Sequence, residues 1–242
     1  MKITRTFDIL TRLQVQYPKD DILAGKKDGV WIKYSTNDYI EYAHHLAYAF
    51  LEMGLKPGDK VITASYNCPQ WNFIDMGLTL AGLIHVPIYT TLSQEDYAHV
   101  IPHSDAKVVF LGGESLVRKL APLINGLENP PEICTIDPVP GYRSLSELKE
   151  MGKAHQSKWE AQIAYNIEHI DPETIATIIY TSGTTGVPKG VMLSHRALVF
   201  VFLGTAAWQV IDKKDKMLSF LPLCHIYERS MNYEFQSLGV ST

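Results

Sequence analysis

A nearly uninterrupted apolar and β-branched run, residues 175–180, leads directly into a segment rich in glycine and hydroxyl groups. A run of this kind is typical of a strand that is buried on both faces of a sheet. Such strands belong to parallel sheets whose two faces are covered by helices. This run therefore predicts an α/β fold in which residues 175–180 form a central strand.

The first half of the chain alternates between helix and strand patterns. Ser35, with Asp38 three positions later, has the spacing of a helix cap, and Gly54 is placed to end that helix. Ser93 with Asp96 repeats the capping pattern. The remaining segments of this alternation are predicted strands at 60–64, 85–89 and 107–111 and predicted helices at 69–81 and 114–124. We therefore expect layered parallel sheets covered by helices.

The proline-rich stretch 128–141 divides this pattern. We predict one sub-region at 1–127, a linker at 128–141 and a second sub-region at 142–242, which carries a phosphate loop at 180–190. The phosphate loop at 180–190 lies between the buried strand and a helix that we expect after Ser194.

Composition excludes several function classes. The 242 residues carry a formal net charge of -4, and no basic cluster is longer than Lys213-Lys214, so we expect neither a nucleic-acid nor an anionic-lipid surface. Three cysteines, far apart in sequence, fit neither a metal site nor a redox motif. We interpret them as small core residues of a protein in a reducing compartment.

The N-terminus lacks the apolar region of a secretory signal, so the predicted location is cytoplasmic. The longest uncharged stretch, 197–211, falls short of the roughly 20 apolar residues that a spanning helix needs. We predict a buried helix there, and leave open a peripheral membrane contact elsewhere. The oligomeric state is not predicted.

The segment 180–190, with the sequence YTSGTTGVPKG, has the parts of a triphosphate site. Glycines let successive N–H groups converge on an anion, hydroxyl groups add donors, and Lys189 supplies a positive charge. A plain strand-to-helix connection would not need so many glycines and hydroxyl groups. The candidate nucleotide-binding residues are Thr181, Ser182, Gly183, Thr184, Thr185, Gly186 and Lys189.

Two other nucleotide motifs fit this segment poorly. The P-loop of NTPases requires glycine, four residues and then Gly-Lys-Ser/Thr, whereas Pro188 precedes Lys189 here and Gly190 follows it. A dinucleotide fingerprint requires G-x-G-x-x-G, which the spacing of Gly183 and Gly186 does not match.

The segment closely resembles the most diagnostic motif of the adenylate-forming superfamily, which includes acyl-CoA synthetases, peptide-synthetase adenylation domains and firefly luciferase. Residues 191–195 continue that motif, while residues 80–88 resemble an earlier core motif and residues 221–229 a later one. The similarity runs from about Trp31 to the C-terminus, and it implies the N-terminal portion of the large AMP-binding domain.

The resemblance implies a two-step reaction. A carboxylate attacks the α-phosphate of ATP to give an acyl-adenylate and pyrophosphate, and coenzyme A then takes the acyl group. By resemblance, residues 181–186 wrap the phosphates, Lys189 reaches the outer phosphates, and Thr181 helps to hold Mg²⁺. His225 is the second catalytic candidate, beside the carboxylate and the α-phosphate. From the residues alone, a hydrogen-bonded buried histidine is the favoured interpretation of His225. We interpret His44, His45 and His85 as structural.

The motif LPLxHxxER at 221–229 resembles long-chain fatty acyl-CoA synthetases more than the enzymes that activate acetate or amino acids. These residues do not specify the length of the acyl chain. Aryl and bile-acid carboxylates are alternative substrates. The family's Thr-Glu pair for Mg²⁺, its ribose aspartate and its C-terminal lysine are not in this sequence. We therefore expect the 242 residues to be inactive alone; the alternative is a non-catalytic module that binds nucleotide.

Overall fold

Strands and helices alternate along most of the chain in the computed structural model, which describes residues 2–182 and 186–242. The strands in this part of the chain are β1 (Leu23–Lys27), β2 (Val30–Tyr34), β3 (Lys60–Ala64), β4 (Ile84–Ile88), β5 (Ala106–Leu111), β6 (Glu132–Thr135), β7 (Arg143–Ser144), β8 (Ile175–Ser182) and β9 (Pro188–Ser194). The helices are α1 (Asp8–Gln16), α2 (Thr36–Glu52), α3 (Pro69–Leu80), α4 (Gln94–His103), α5 (Glu114–Asn125), α6 (Leu145–Ala154), α7 (Gln156–His169), α8 (His195–Ala206) and α9 (Ile226–Ser237).

Seven of the strands form one sheet in the order β7-β6-β5-β3-β4-β8-β9. All neighbouring strands in it are parallel except β8 and β9, which are antiparallel. Successive residues of β3 face opposite sides: Val61 packs with α2 and α3, and Ile62 packs with α4 and α5. Both faces of the sheet are thus covered by helices, and the predicted α/β fold with a parallel sheet is confirmed.

The segment 128–141 contributes a strand to this sheet. Its short apolar run forms β6, which pairs with β5 from Val108↔Glu132 to Leu111↔Thr135. Prolines flank the strand on both sides and lie outside the ladder, where a missing N–H costs no hydrogen bond. The two predicted sub-regions consequently share one sheet, because β8 of the second pairs with β4 of the first.

A second, smaller sheet forms around the antiparallel pair β1–β2. The backbone N–H of Ala24 donates to Thr242 O at 2.8 Å, and Thr242 N–H donates to Ile22 O at 3.0 Å. Met217 N–H donates to Ser241 O at 2.8 Å, beside a parallel bridge between Lys216 and Ser241. Segments that are far apart in the sequence thereby meet at the edge of β1.

The predicted helix caps are present. Ser35 and Asp38 form a reciprocal capping box on α2, and the Ser93 side chain accepts from Asp96 N–H on α4. The helix expected after Ser194 is α8, whose first turn is capped by that serine. These caps satisfy N–H groups that have no partner within the helix.

The burial predicted for 197–211 is wrong. The helix α8 buries Leu198 and Phe202 beside α9, but Phe200 is 80% exposed and Trp208 is 89% exposed. Apolar residues occur on every side of α8, but only one side packs against the core. The apolar residues on the other side therefore face solvent. Of the cysteines, Cys134 and Cys224 are buried as expected, and Cys68 is half-buried. Within the described residues, no helix has the length and apolar character needed to cross a membrane.

The first residue of α8, His195, is a buried histidine that lowers stability in acid. Its Nδ1 accepts from the backbone N–H of Thr6 at 3.2 Å, and burial lowers the pKa of His195 to about 4. An unfolded histidine has a pKa of about 6.5, so the unfolded state binds the proton more readily between pH 6.5 and 4. The stabilising contribution is therefore complete above pH 6.5 and declines as pH falls toward 4.

We expect this histidine to account for a loss of about 2 kcal/mol in the free energy of unfolding between pH 7 and pH 5. His195→Asn keeps an acceptor for the Thr6 N–H but cannot titrate. Urea titrations of both proteins at a series of pH values measure the difference. If the two proteins lose stability in parallel between pH 7 and pH 5, His195 is not the group responsible.

Candidate active site

The two ends of the glycine-rich segment lie in β8 and β9, which pair as an antiparallel hairpin. Thr181 is directly opposite Lys189, and Tyr180 is opposite Gly190. Side chains of directly opposed residues have Cβ atoms about 4.5 to 5.5 Å apart, so the hairpin brings the predicted hydroxyl and ammonium groups together. Both of these residues are exposed.

Strand structure extends into both ends of the predicted loop at 180–190. The structure extends β8 to Ser182 and begins β9 at Pro188, so that Thr181 and Lys189 belong to strands. The physical reason is antiparallel pairing, which the sequence pattern alone does not specify, and Pro188 is tolerated as the first residue of an edge strand. Gly186 has φ +80°, a conformation that favours glycine. The remaining candidates, Gly183, Thr184 and Thr185, lie outside the described residues.

Two histidines on α4 hold the hairpin, and sequence reasoning missed both. His99 Nε2 donates to Pro188 O at 3.0 Å, and His103 Nδ1 lies 2.7 Å from the Tyr180 hydroxyl. The two imidazole rings stack with centroids 5.1 Å apart. Their spacing of four residues on a predicted helix places them on one face, but nothing in the sequence indicates that the hairpin packs there.

His225 caps the N-terminus of α9. Its Nδ1 accepts from the Tyr227 N–H at 3.2 Å, and the side chain is exposed rather than buried. Because Nδ1 acts as an acceptor, a neutral ring carries its proton on Nε2, which can donate to a ligand. No hydrogen bond within the described residues joins His225 to Thr181 or Lys189.

One turn further along α9, Arg229 is completely buried and ties the helix to the sheet. Its guanidinium forms an ion pair with Asp75 on α3 and donates to Thr177 Oγ1 on β8 at 2.6 Å. Its Nε donates to the Tyr233 hydroxyl at 2.9 Å, and that hydroxyl donates to the second oxygen of Asp75 at 2.5 Å. The strand that leads to Thr181 and the helix that begins after His225 are therefore joined through one buried network.

The charge on Asp75 holds this network together. Burial alone would raise the pKa of Asp75, but the positive charge of Arg229 and hydrogen bonds from His85 and Tyr233 lower it to about 2. His85 Nδ1 lies 2.7 Å from Asp75 Oδ1, and its Nε2 lies 3.0 Å from Thr63 Oγ1. His85 is thus fully buried and hydrogen-bonded through both nitrogens, which agrees with the structural role expected for it.

The predicted Mg²⁺ site depends on the side chains that could bind a metal ion. Within 2–182 and 186–242, no group of three or more His, Cys, Asp or Glu residues could hold a metal ion. Mg²⁺ at nucleotide sites is commonly bound by one or two carboxylates together with substrate phosphates, and the hydroxyl of Thr181 is compatible with a position beside such phosphates. The metal role of Thr181 stays a prediction.

The chain matches one protein family over most of its length. The family described as AMP-binding enzyme matches residues 11–239, which is almost the whole chain. The chain belongs to the AMP-binding enzyme family. The resemblance inferred from residues 180–190 is therefore confirmed.

Curated AMP-binding relatives include long-chain fatty acid ligases. The chain is 31% identical over 208 residues to the long-chain-fatty-acid–CoA ligase FadD15 of Mycobacterium bovis, covering 85% of this chain and 34% of the relative. It is 30% identical over 214 residues to the long-chain-fatty-acid–CoA ligase ACSBG2 of Gallus gallus, covering 84% and 28%. The chain spans about a third of the length of these relatives.

Solved AMP-binding structures share the fold. A red-emitting luciferase from Phrixothrix hirtus superimposes with a TM-score of 0.81 at 18% identity, covering 98% of this chain and 44% of the luciferase. A long-chain-fatty-acid CoA ligase from Rhodopseudomonas palustris, described as putative, superimposes with a TM-score of 0.75 at 20% identity, covering 98% and 56%. At these identities the likeness establishes the fold alone.

Proposed function

We propose that the whole protein carrying this chain uses ATP to activate a carboxylic acid and then transfers the acyl group to coenzyme A. The observation that carries this proposal is the pairing of Thr181 with Lys189 across the antiparallel strands β8 and β9. An ammonium group beside hydroxyl and backbone N–H donors suits the negative charge and acceptor oxygens of a polyphosphate. Family membership supports acid adenylation as the reaction.

The chemistry consists of two displacements. In the first, a carboxylate oxygen attacks the α-phosphorus of ATP and pyrophosphate leaves. In the second, the thiolate of coenzyme A attacks the acyl carbonyl and AMP leaves. When bound, Mg²⁺ neutralises phosphate charge during the first displacement.

In the first displacement, Lys189 binds the outer phosphates, and the N–H and hydroxyl groups of residues 181–186 surround them. His225 donates from Nε2 to the carboxylate or the α-phosphate. These contacts promote the first displacement by positioning the reacting groups and by neutralising negative charge.

We propose a long-chain fatty acid as the preferred carboxylate. The curated relatives at about 30% identity are named long-chain-fatty-acid–CoA ligases, which supports this choice. The resemblance of the motif at 221–229 to long-chain fatty acyl-CoA synthetases supports the same choice. An aryl or bile-acid substrate is the alternative.

The substrate class can be tested by measuring acyl-CoA formation by the whole protein with octanoate, palmitate, oleate, benzoate and cholate. Each methylene buried in an apolar pocket contributes about 0.8 kcal/mol, so kcat/KM should rise from octanoate to palmitate. Palmitate and oleate should exceed benzoate and cholate. Equal or higher kcat/KM with benzoate or cholate would reject the long-chain assignment while leaving adenylation intact.

We expect residues 1–242 alone to form no acyl-CoA. The proposed reaction also needs the family's Mg²⁺ carboxylate, ribose aspartate and C-terminal lysine, which this sequence does not contain. Incubation of the purified chain with ATP, Mg²⁺, palmitate and coenzyme A, followed by chromatography of thioesters, provides the measurement. Steady thioester formation that scales with the amount of this chain would contradict the expectation.

A non-catalytic nucleotide-binding module is the second candidate function. It predicts that the whole protein binds ATP without any turnover that depends on a carboxylate. Calorimetric titration with ATP, combined with the thioester assay, distinguishes it from the ligase.

A further inference from the structure

The backbone just before His225 is held by one side chain, Asn67, which lies two residues before α3. The Oδ1 atom of Asn67 accepts from Leu223 N–H at 3.0 Å. Its Nδ2 donates to Leu221 O at 2.7 Å and to Ser219 Oγ at 3.0 Å. One amide therefore uses its acceptor and both of its donor hydrogens on a single loop, 219–223.

The two backbone contacts resemble the pairing of a strand. A side-chain amide that accepts from one residue and donates to the carbonyl two residues earlier reproduces the donor and acceptor pattern of a peptide group. Asp and Leu, which are close to Asn in size, could not replace the Asn67 amide. An ionised Asp has no hydrogen-bond donor, and Leu has neither a donor nor an acceptor. The contact thus depends on the amide and not on side-chain volume.

The far side of His225 is fixed as well. His225 N–H donates to Pro222 O at 2.8 Å, which closes the turn that follows the clamped loop. Arg229 N–H donates to His225 O at 3.1 Å, and the Arg229 side chain is anchored to Asp75. Asn67, just before α3, and Asp75, within α3, therefore hold the two ends of the segment that carries His225.

We propose that Asn67 is a positioning residue for His225: its amide clamps the loop 219–223 and so fixes where the imidazole meets the reacting groups. This inference rests on the function proposed above, in which His225 contacts the carboxylate or the α-phosphate. Asn67 acts through His225 and does not need to touch the substrate. Since catalysis is sensitive to displacements of about 1 Å, loss of the clamp lowers the rate without removing a reacting group.

The expected effect of Asn67→Ala in the whole protein is a fall of roughly 10- to 100-fold in kcat for adenylation. The KM for ATP should change by less than about threefold, because the hairpin that binds the phosphates is untouched. Gln70→Ala is the matched control. Gln70 is an amide in the first turn of α3 that donates to the Tyr34 hydroxyl instead of the loop, so its removal should leave kcat unchanged.

A double-mutant cycle with His225→Ala separates positioning from general structural damage. If Asn67 acts through His225, then Asn67→Ala should change kcat by less than about twofold when His225 is already alanine. Additive losses would overturn the proposal. It is also overturned if His225→Ala alone leaves kcat unchanged, whereas carboxylate-dependent pyrophosphate release by the unmodified protein would still support the proposed function.

Hydrogen exchange on the whole protein tests the clamp without any activity. In Asn67→Ala, exchange of the Leu223 amide should accelerate by about tenfold or more, because its acceptor is lost. Exchange of the Leu238 amide, which donates to Glu234 O at the far end of α9, should not change. An unchanged rate at Leu223 would show that Asn67 does not hold the loop.

Discussion

Arg229→Met is expected to lower the free energy of unfolding by about 3 to 5 kcal/mol, because it leaves the Asp75 carboxylate buried without its ion-pair partner. Methionine keeps much of the aliphatic volume, so the loss reports mainly on charge and hydrogen bonding. Urea-induced unfolding of the 242-residue chain, followed by circular dichroism, measures the change.

Two further variants make this result specific. Asp75→Asn in the Arg229→Met background removes the unpaired charge and should recover part of the lost stability. Arg118→Met removes an arginine that pairs with Glu114 on the exposed face of α5, so it should cost less than about 1 kcal/mol. A loss below about 1 kcal/mol for Arg229→Met, or no recovery in the double variant, would contradict the described role of the network.

Lys189→Ala in the whole protein is expected to slow adenylation by roughly 10- to 150-fold. A hydrogen bond to a charged group contributes about 1.5 to 3 kcal/mol, and about 1.4 kcal/mol corresponds to one factor of ten. Some activity should remain, because the substitution leaves the backbone N–H groups of residues 181–186, which are proposed to surround the phosphates, in place. Pyrophosphate release measured at saturating ATP and acid gives the rate.

The second half-reaction supplies the control for Lys189. Acyl-adenylate has no outer phosphates, so thioester formation from supplied acyl-adenylate should fall much less than adenylation. Lys214→Ala, at another exposed lysine, should leave both half-reactions unchanged. Equal losses in the two half-reactions of Lys189→Ala, with an unchanged melting temperature, would show that Lys189 does not bind the outer phosphates.

Local signals in the sequence were sufficient for much of the fold. The β-branched run at 175–180 predicted β8, and the spacing of Ser35 with Asp38 predicted the cap of α2. Both depend only on neighbouring residues, through periodicity or through a side chain that reaches a nearby N–H group. The candidate residues Thr181 and Lys189 were also found from one contiguous segment.

The remaining features depend on contacts between distant residues. Arg229 lies 154 residues from Asp75, and Asn67 lies 156 residues from Leu223. No local pattern specifies such partners, so the polar network beneath α9 and the clamp on its preceding loop could not be predicted. The β8–β9 hairpin could not be predicted either, because the pairing of β9 with β8 depends on strand register rather than on composition.

We propose that this chain belongs to an enzyme that joins a carboxylate to the α-phosphate of ATP. The most direct measurement is release of pyrophosphate and formation of acyl-AMP by the whole protein, with palmitate present or omitted and without coenzyme A. Pyrophosphate and acyl-AMP should form in equal amounts, and only when the acid is present. Release of inorganic phosphate with ADP, or pyrophosphate release that does not depend on any acid tested, would contradict it.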